Sequence, residues 1–426
     1  MQRTILDNNT SLHIKGKILY SIMIGLLPLL SIYRDPLGIA EIGTILLIIC
    51  IPIIIFFRLT EKIKLSHSIV NVVLILFLLD AGWTITFGNY NNSSFKTAYL
   101  TWIIMLICLI PHLIFGINIL FDRIIAYKTV QFVTIINSIV IILQYFMHIF
   151  LHSYLCVIII KNLVPDAQKY GSYLYTGTTG GVFRPAGFFL EPSHFSLYAL
   201  VALLYLFVSE DQSQKRMINL LLVSVAIVLT TSSIGLFFVS IFWLFSIYYN
   251  NRNRITYSVL LKWIVLPFLI VVFGMIFSQF DFVQFTINRV FTGNIETSAV
   301  YTRIYNMQLL SKISNSSIWF GNGFMNFPGS YVSYNNGFVK LYYGQGIVGV
   351  LLMFSLIFIC FMKTQIKGKI LALCYFSLFF VSQMYSTIYL VYYLIFIFSE
   401  LNVNTINKFE ESVNNNKFEI ITHEVR

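Results

Sequence analysis

Apolar residues run in long blocks along this chain, with polar residues in short clusters between them. Twelve blocks stand out, at roughly 18–33, 37–57, 69–87, 98–120, 129–151, 195–209, 217–231, 235–249, 259–277, 337–362, 370–385 and 388–399. Each predicts a membrane-spanning helix, because an isolated strand cannot satisfy its backbone in lipid. Several are shorter than the ~20 residues that a perpendicular span needs, so the count is about twelve. Blocks 217–231 and 235–249, joined by Thr231-Ser232-Ser233-Ile234, read as two spans or as one broken span. Two long polar stretches, 152–194 and 278–336, interrupt the pattern, and a tail rich in Asn and Glu runs from 402 to 426. Loops of that length exceed what joining two helices requires.

Basic residues orient the blocks. With the N-terminus inside, the short inner connections hold Arg58, Lys62, Lys64, Arg123, Lys128, Lys215, Arg216, Arg252, Arg254, Lys262, Lys363, Lys367 and Lys369, which is 13. The short outer connections hold Arg34 and Lys96, which is 2. Both long loops then fall on the outer, extracytoplasmic face and both termini inside. Block 18–33 is followed by Arg34-Asp35-Pro36 and not by a small-residue cleavage site, so it reads as a first span.

Composition agrees with the pattern. The chain is 58% hydrophobic and 11% charged, with a mean hydropathy of +0.80. A soluble core cannot consume that much apolar surface, which leaves an all-α polytopic membrane protein with a single membrane domain over 1–426. The formal charge of +11 does not indicate nucleic acid, because the charges lie in clusters between apolar runs. Cys50, Cys108, Cys156, Cys360 and Cys374 are scattered and suggest no disulfide or metal framework. No P-loop, zinc or dinucleotide motif is present, so neither metal nor cofactor is expected.

Candidate chemistry lies in the two long loops. Arg184 precedes the next block by about ten residues, near the expected membrane surface. Its guanidinium suits a phosphate, which it can grip with two parallel hydrogen bonds. The plainer reading is snorkelling to headgroups or pairing with Glu191. Arg289 and Arg303 are further outer-loop arginines. Glu191-Pro192-Ser193-His194 sits where loop becomes helix, and a helix start explains Pro192 and Ser193. Glu191 or His194 could instead act as a general base on a sugar hydroxyl. Ser232, in the Thr230–Ser233 turn, reads first as a helix cap. Asn322, between Gly321 and Gly323, and the pair Asn335 and Asn336 are turn residues that can also bind sugars. Aromatics crowd the second loop, where they suit sugar faces or an interfacial belt. Asp80, near the outer end of its block, is a functional intramembrane acid or a wet interfacial one.

These stretches resemble the polymerase and ligase superfamily of bacterial surface polysaccharides, and within it the Wzy-type repeat-unit polymerases. Arg184-Pro-Ala-Gly187-Phe-Phe-Leu-Glu191-Pro resembles the family's entry into a helix. Leu229-Thr-Thr-Ser-Ser-Ile-Gly235 is similar to its T-x-S-R-G turn, with Ile234 in place of the arginine. Tyr301-Thr-Arg303 with Trp319-Phe-Gly-Asn-Gly323 resembles its second-loop stretch, and Asn335-Asn336 through Gly349 is similar to the ligases' H-N … G-L-x-G. The likeness covers about 180–350 and the topology of the whole chain. The ligase histidine would fall on Asn335, which leans toward polymerase, and the arginine-to-glycine loop repeats of some polymerases are missing.

The resemblance implies glycosyl transfer at the outer face of the bacterial cytoplasmic membrane. A glycan would leave its undecaprenyl diphosphate and join the next lipid-linked repeat unit. Arg184 and Arg303 would stabilise the departing diphosphate, and Glu191 or His194 would take the acceptor's proton. Arg289, Asn322, Asn335, Asn336 and Ser232 would contact substrate. The expected partner is the undecaprenyl-diphosphate-linked oligosaccharide, with a chain-length regulator and a flippase as candidate protein partners. The alternatives are an O-antigen ligase and a polysaccharide flippase or other twelve-helix transporter. A transporter would carry mid-membrane charges and internal repeats, which are scarce here.

Overall fold

The computed structural model describes residues 2–34, 41–60, 68–87, 108–155, 157, 163–164, 178–179, 182–208, 213–251, 310, 317–323, 336–382 and 388–401. They are mostly helical. In chain order the helices are α1 (Gln2–Leu30), α2 (Ile42–Thr60), α3 (Ser68–Phe87), a π-turn (Pro111–Gly116) running into α4 (Ile117–Ile119), and α5 (Arg123–Leu151). After a two-residue antiparallel pairing of β1 (Thr178–Thr179) with β2 (Val182–Phe183) come α6 (Pro192–Val208), α7 (Gln214–Leu229) and α8 (Ser233–Asn251). The last three are α9 (Gly337–Lys363), α10 (Ile366–Val381) and α11 (Ile388–Ser399). Among the described residues, four helical stretches are long and apolar enough to cross a membrane: His13–Leu30, Ile42–Leu59, Arg123–Leu151 and Gly337–Lys363. Shorter apolar helices, α6 and α11 among them, pack beside them.

Several expectations are refined. The first helix begins at Gln2, well before the apolar block at 18, and its stretch apolar enough to span is His13–Leu30. The turn at Thr230–Ser232 separates two antiparallel helices, because the Trp243 indole donates to Ser224 Oγ at 3.1 Å and Gly235 abuts Ile227. Block 259–277 lies outside the described residues, and 98–120 is described only from 108. Pro111 opens the π-turn, where a missing backbone N–H suits the wider ring. His112 fixes that turn. Its Nδ1 meets the Tyr20 hydroxyl at 2.7 Å and its Nε2 the Leu47 carbonyl at 2.9 Å, tying α1 to α2.

Helix ends sort into two levels. At one end, rich in basic residues, the Asp122 N–H donates to Ser21 Oγ at 2.7 Å, and Asp122 caps α5 through Ile124 and Ile125. Arg123 lies 3.6 Å from the buried Glu400 carboxylate, which also accepts from the Tyr127 hydroxyl at 3.2 Å. Tyr127 stacks on Tyr205, and Lys367 covers Tyr205. The starts of α5 and α10 and the finishes of α6 and α11 therefore share one level. At the opposite end, Tyr389 at the start of α11 donates to the His194 carbonyl at 3.0 Å, and the Gly337 N–H to the Ser382 carbonyl at 2.7 Å. Parts of both long loops lie here too. The Arg34 N–H donates to Leu163 at 2.7 Å, and Phe320 sits against Trp83 of α3.

Within α9 the helix breaks at Gly346 (φ 67°, ψ −162°). An unbroken helix would bond Ile347 N–H to the Tyr343 carbonyl and Val348 N–H to that of Gly344. Residues 317–323 take over all four groups. Asn322 and Gly323 donate to the Tyr343 and Gly344 carbonyls at 2.8 and 3.0 Å, while Ile347 and Val348 donate to those of Ile318 and Trp319 at 2.9 and 3.1 Å. Irregular backbone inside an apolar bundle persists when protein satisfies its polar groups, as here.

Candidate functional site

The segment Phe183–Leu190 is not a surface loop, because most of it is buried. It enters the bundle along α5, whose apolar sequence carries two amides seven residues apart, on one face. Gln144 Oε1 accepts from the Gly187 N–H at 2.9 Å, and Asn137 Oδ1 accepts from the Phe188 N–H at 2.6 Å. Gln144 also donates to the Leu155 carbonyl at 2.9 Å, which binds both sides of the first long loop to one side chain. Asn137 is the central residue of the 29-residue α5, so the loop reaches halfway along that helix. Gly187 has φ +62°, and a Cβ there would collide with Asn137.

This seat brings Arg184 to the tip of the α7–α8 hairpin. Its Nε donates to Thr231 Oγ1 at 2.8 Å. Thr231 has φ +50°, and Thr230, Thr231 and Ser232 are all buried. Ser232 acts as a cap, since its Oγ accepts from the Gly235 N–H at 3.4 Å. Gly235 leaves room for the first turn of α6, where a Cβ would come 2.6 Å from Ser196 Oγ. The N-termini of two long helices, α6 and α8, are thus side by side next to Arg184. Each carries the partial positive charge of a helix N-terminus. Arginine and two helix starts make a site suited to an anion.

Glu191 and His194 close the same turn. The Glu191 carbonyl accepts from the His194 and Phe195 N–H groups at 3.0 and 3.4 Å, and Pro192 opens α6, so the helix-start reading describes this backbone. Both side chains are half exposed. The carboxylate lies 4.0 Å from His194 Nε2 and accepts from Ser193 Oγ at 3.1 Å. The His194 ring rests 5.8 Å from that of Tyr389.

Sequence reasoning passed over Glu41, which lies in the same layer. Arg34 and Glu41 form an antiparallel bridge closing the α1–α2 link, and the Ile42 N–H donates to the Tyr33 carbonyl at 2.8 Å. Burial raises the Glu41 carboxyl above the usual glutamate range, partly opposed by Arg34 and by the Ser31 hydroxyl. The available signals were an acid at a helix start and Arg34 seven residues earlier. Asn137 and Gln144 were also missed, although side-chain amides within an apolar block are an intramembrane polar signal.

The second group of candidates is held at α9. Asn322 works through its backbone in the α9 stitch. Asn336 is the α9 cap, its Oδ1 accepting from the Val339 N–H at 2.8 Å. Arg289, Arg303 and Asn335 lie outside the described residues. Asp80 is buried against α9, 3.0 Å from where a Gly349 Cβ would sit, and neither of its oxygens has a hydrogen-bond partner among the described residues. Among those residues no three His, Cys, Asp or Glu side chains gather as a metal site. No protein-family model matches the chain, and no curated protein matches it.

Proposed function

We propose that the chain is a polymerase of lipid-linked oligosaccharide repeat units, with about twelve spans and both termini cytoplasmic. It joins undecaprenyl-diphosphate-linked units at the outer face of the bacterial cytoplasmic membrane. The observation that carries this reading is the meeting of Arg184 with the N-termini of α6 and α8. A departing diphosphate develops negative charge, and positive groups fixed in advance stabilise it. Arg184 and the two helix starts hold the phosphates, and Arg303 is assigned the same role from the second loop. Glu191 and His194 border the acceptor side. The acceptor hydroxyl attacks the anomeric carbon and gives its proton to Glu191 or His194, the bond to diphosphate breaks, and the electron pair leaves with undecaprenyl diphosphate.

The test is the surface glycan of a deletion strain complemented with variants at matched protein levels. The wild type restores a ladder of chain lengths. Arg184→Lys keeps the charge but loses the planar fork and the Nε contact to Thr231. A roughly ten- to hundred-fold fall in polymerisation is expected, the equivalent of ~1.5–3 kcal/mol for a hydrogen bond to a charged group. A wild-type ladder from Arg184→Lys and Arg184→Ala rejects the assignment.

One observation favours the transporter alternative: α9 is broken beside the buried Asp80, as helices often are in carriers. The deletion strain separates the two. Loss of a polymerase leaves single repeat units on the surface, whereas loss of a flippase leaves none. An O-antigen ligase would be distinguished by polymer that accumulates on its lipid carrier.

A further inference from the structure

We propose that Asp80 and the break in α9 form a binding site for a small alkali cation, Na⁺. Asp80 lies on α3 and is 7% exposed. Neither of its oxygens has a hydrogen-bond partner among the described residues. The buried Lys340 of α9 is not within hydrogen-bonding reach of either oxygen. Yet the carboxylate lies against α9 just past its break. Gly349 makes that approach possible, because a Cβ there would come 3.0 Å from Asp80 Oδ2 and 3.4 Å from the amide carbon of the Gln345 side chain. Asp80 and the fully buried Gln345 thus flank the space that Gly349 leaves, one turn of helix from the left-handed Gly346.

An unpaired carboxylate is unfavourable inside an apolar bundle, and either a proton or a cation relieves it. Protonation turns one oxygen into an O–H donor. No acceptor lies within hydrogen-bonding distance of either oxygen among the described residues, so a buried polar group would still be unsatisfied. A cation between the two oxygens satisfies both. One carboxylate balances one positive charge, whereas a divalent ion favours several acids, and among the described residues no such group gathers. The Gln345 amide offers a neutral oxygen from the same break. An acid beside a broken helix is where membrane proteins bind such ions. The site also reaches the second loop. Trp83, one turn after Asp80, meets Phe320 with ring centroids 6.2 Å apart. Phe320 belongs to the segment whose backbone closes the α9 break. An ion at Asp80 therefore ties α3 to both parts of that junction, whichever reaction the chain performs.

The experiment uses the full-length protein in detergent, at constant pH and ionic strength, with NaCl exchanged for choline chloride. NaCl should raise the melting temperature saturably, by roughly 2 °C or more, because only the folded site binds the ion. It should also slow chymotryptic cleavage at Trp319 and Phe320. Asp80→Asn keeps the shape, removes the charge and should abolish both effects. Gln345→Ala should raise the half-saturating NaCl concentration ~2–10-fold, the loss of one contact of hydrogen-bond strength. Equal melting of the wild type in the two salts overturns the site, as does a Na⁺ effect that survives Asp80→Asn. Acidification that stabilises the wild type in choline chloride while NaCl does nothing gives Asp80 a proton instead and overturns it too. Should Asp80→Asn fail to fold, binding of radioactive Na⁺ by the wild type, weakened in Gln345→Ala, carries the proposal, and no binding overturns it.

Discussion

Gly187 shows how one residue sets the position of the candidate site. Its left-handed φ costs a non-glycine residue about 1–2 kcal/mol, and Asn137 leaves no space for a Cβ. Gly187→Ala should therefore lower the melting temperature in detergent and weaken polymerisation with it. Pairing it with Asn137→Ala should recover the steric part only, because the Phe188 bond is then lost, and strict additivity of the two changes rejects the contact. Arg184, Glu191 and His194 could be picked out as candidates because charged residues are rare in such a chain. Their neighbours could not. Asn137 and Gln144 act on backbone N–H groups 51 and 43 residues away, and no local pattern encodes that pairing.

At the scale of elements, α9 is the instructive case. Its start was legible from the apolar run beginning at 337, whereas Asn336, read as a turn residue, proves to be its cap. Its break was not, since the hydropathy of 337–362 continues through Gly346 without interruption. The stretch Trp319–Gly323 reads as a turn, yet its backbone completes the broken helix. Gly346→Ala places a side chain where φ and ψ favour glycine and where the Trp319 carbonyl approaches. It should cost ~1–3 kcal/mol or more and expose residues 317–323 to limited proteolysis. Unchanged protection of that segment refutes the stitched arrangement. The α6 start is the opposite case, where local chemistry sufficed: Pro192 opens the helix where such a residue is tolerated.

For the whole molecule, hydropathy and the distribution of basic residues carried most of the legible information. The alternation they predict matches the two levels of helix ends, with Arg123 at one and parts of both long loops at the other. Reporter fusions after residues 165 and 315 should read extracytoplasmic and one after 256 cytoplasmic. A cytoplasmic signal from either long loop would place the candidate site on the wrong face for surface glycan synthesis. The depth to which the first loop enters was illegible, because hydropathy measures where a chain leaves lipid and not where polar backbone is sheltered inside a bundle.

The four bonds between 317–323 and α9 bear on how such a chain diversifies. A continuous helix and the stitched break differ only in where the same four backbone groups of α9 find partners. Residues 317–323 leave the ribosome first, so the break can be closed as soon as α9 emerges. Once closed, loop and helix are inherited as a cassette. A second loop exchanged between related chains without the first half of α9 would strand polar backbone inside the bundle. Sequence variation in the second loop must then arise either within the cassette as a unit or in the parts of the loop outside it.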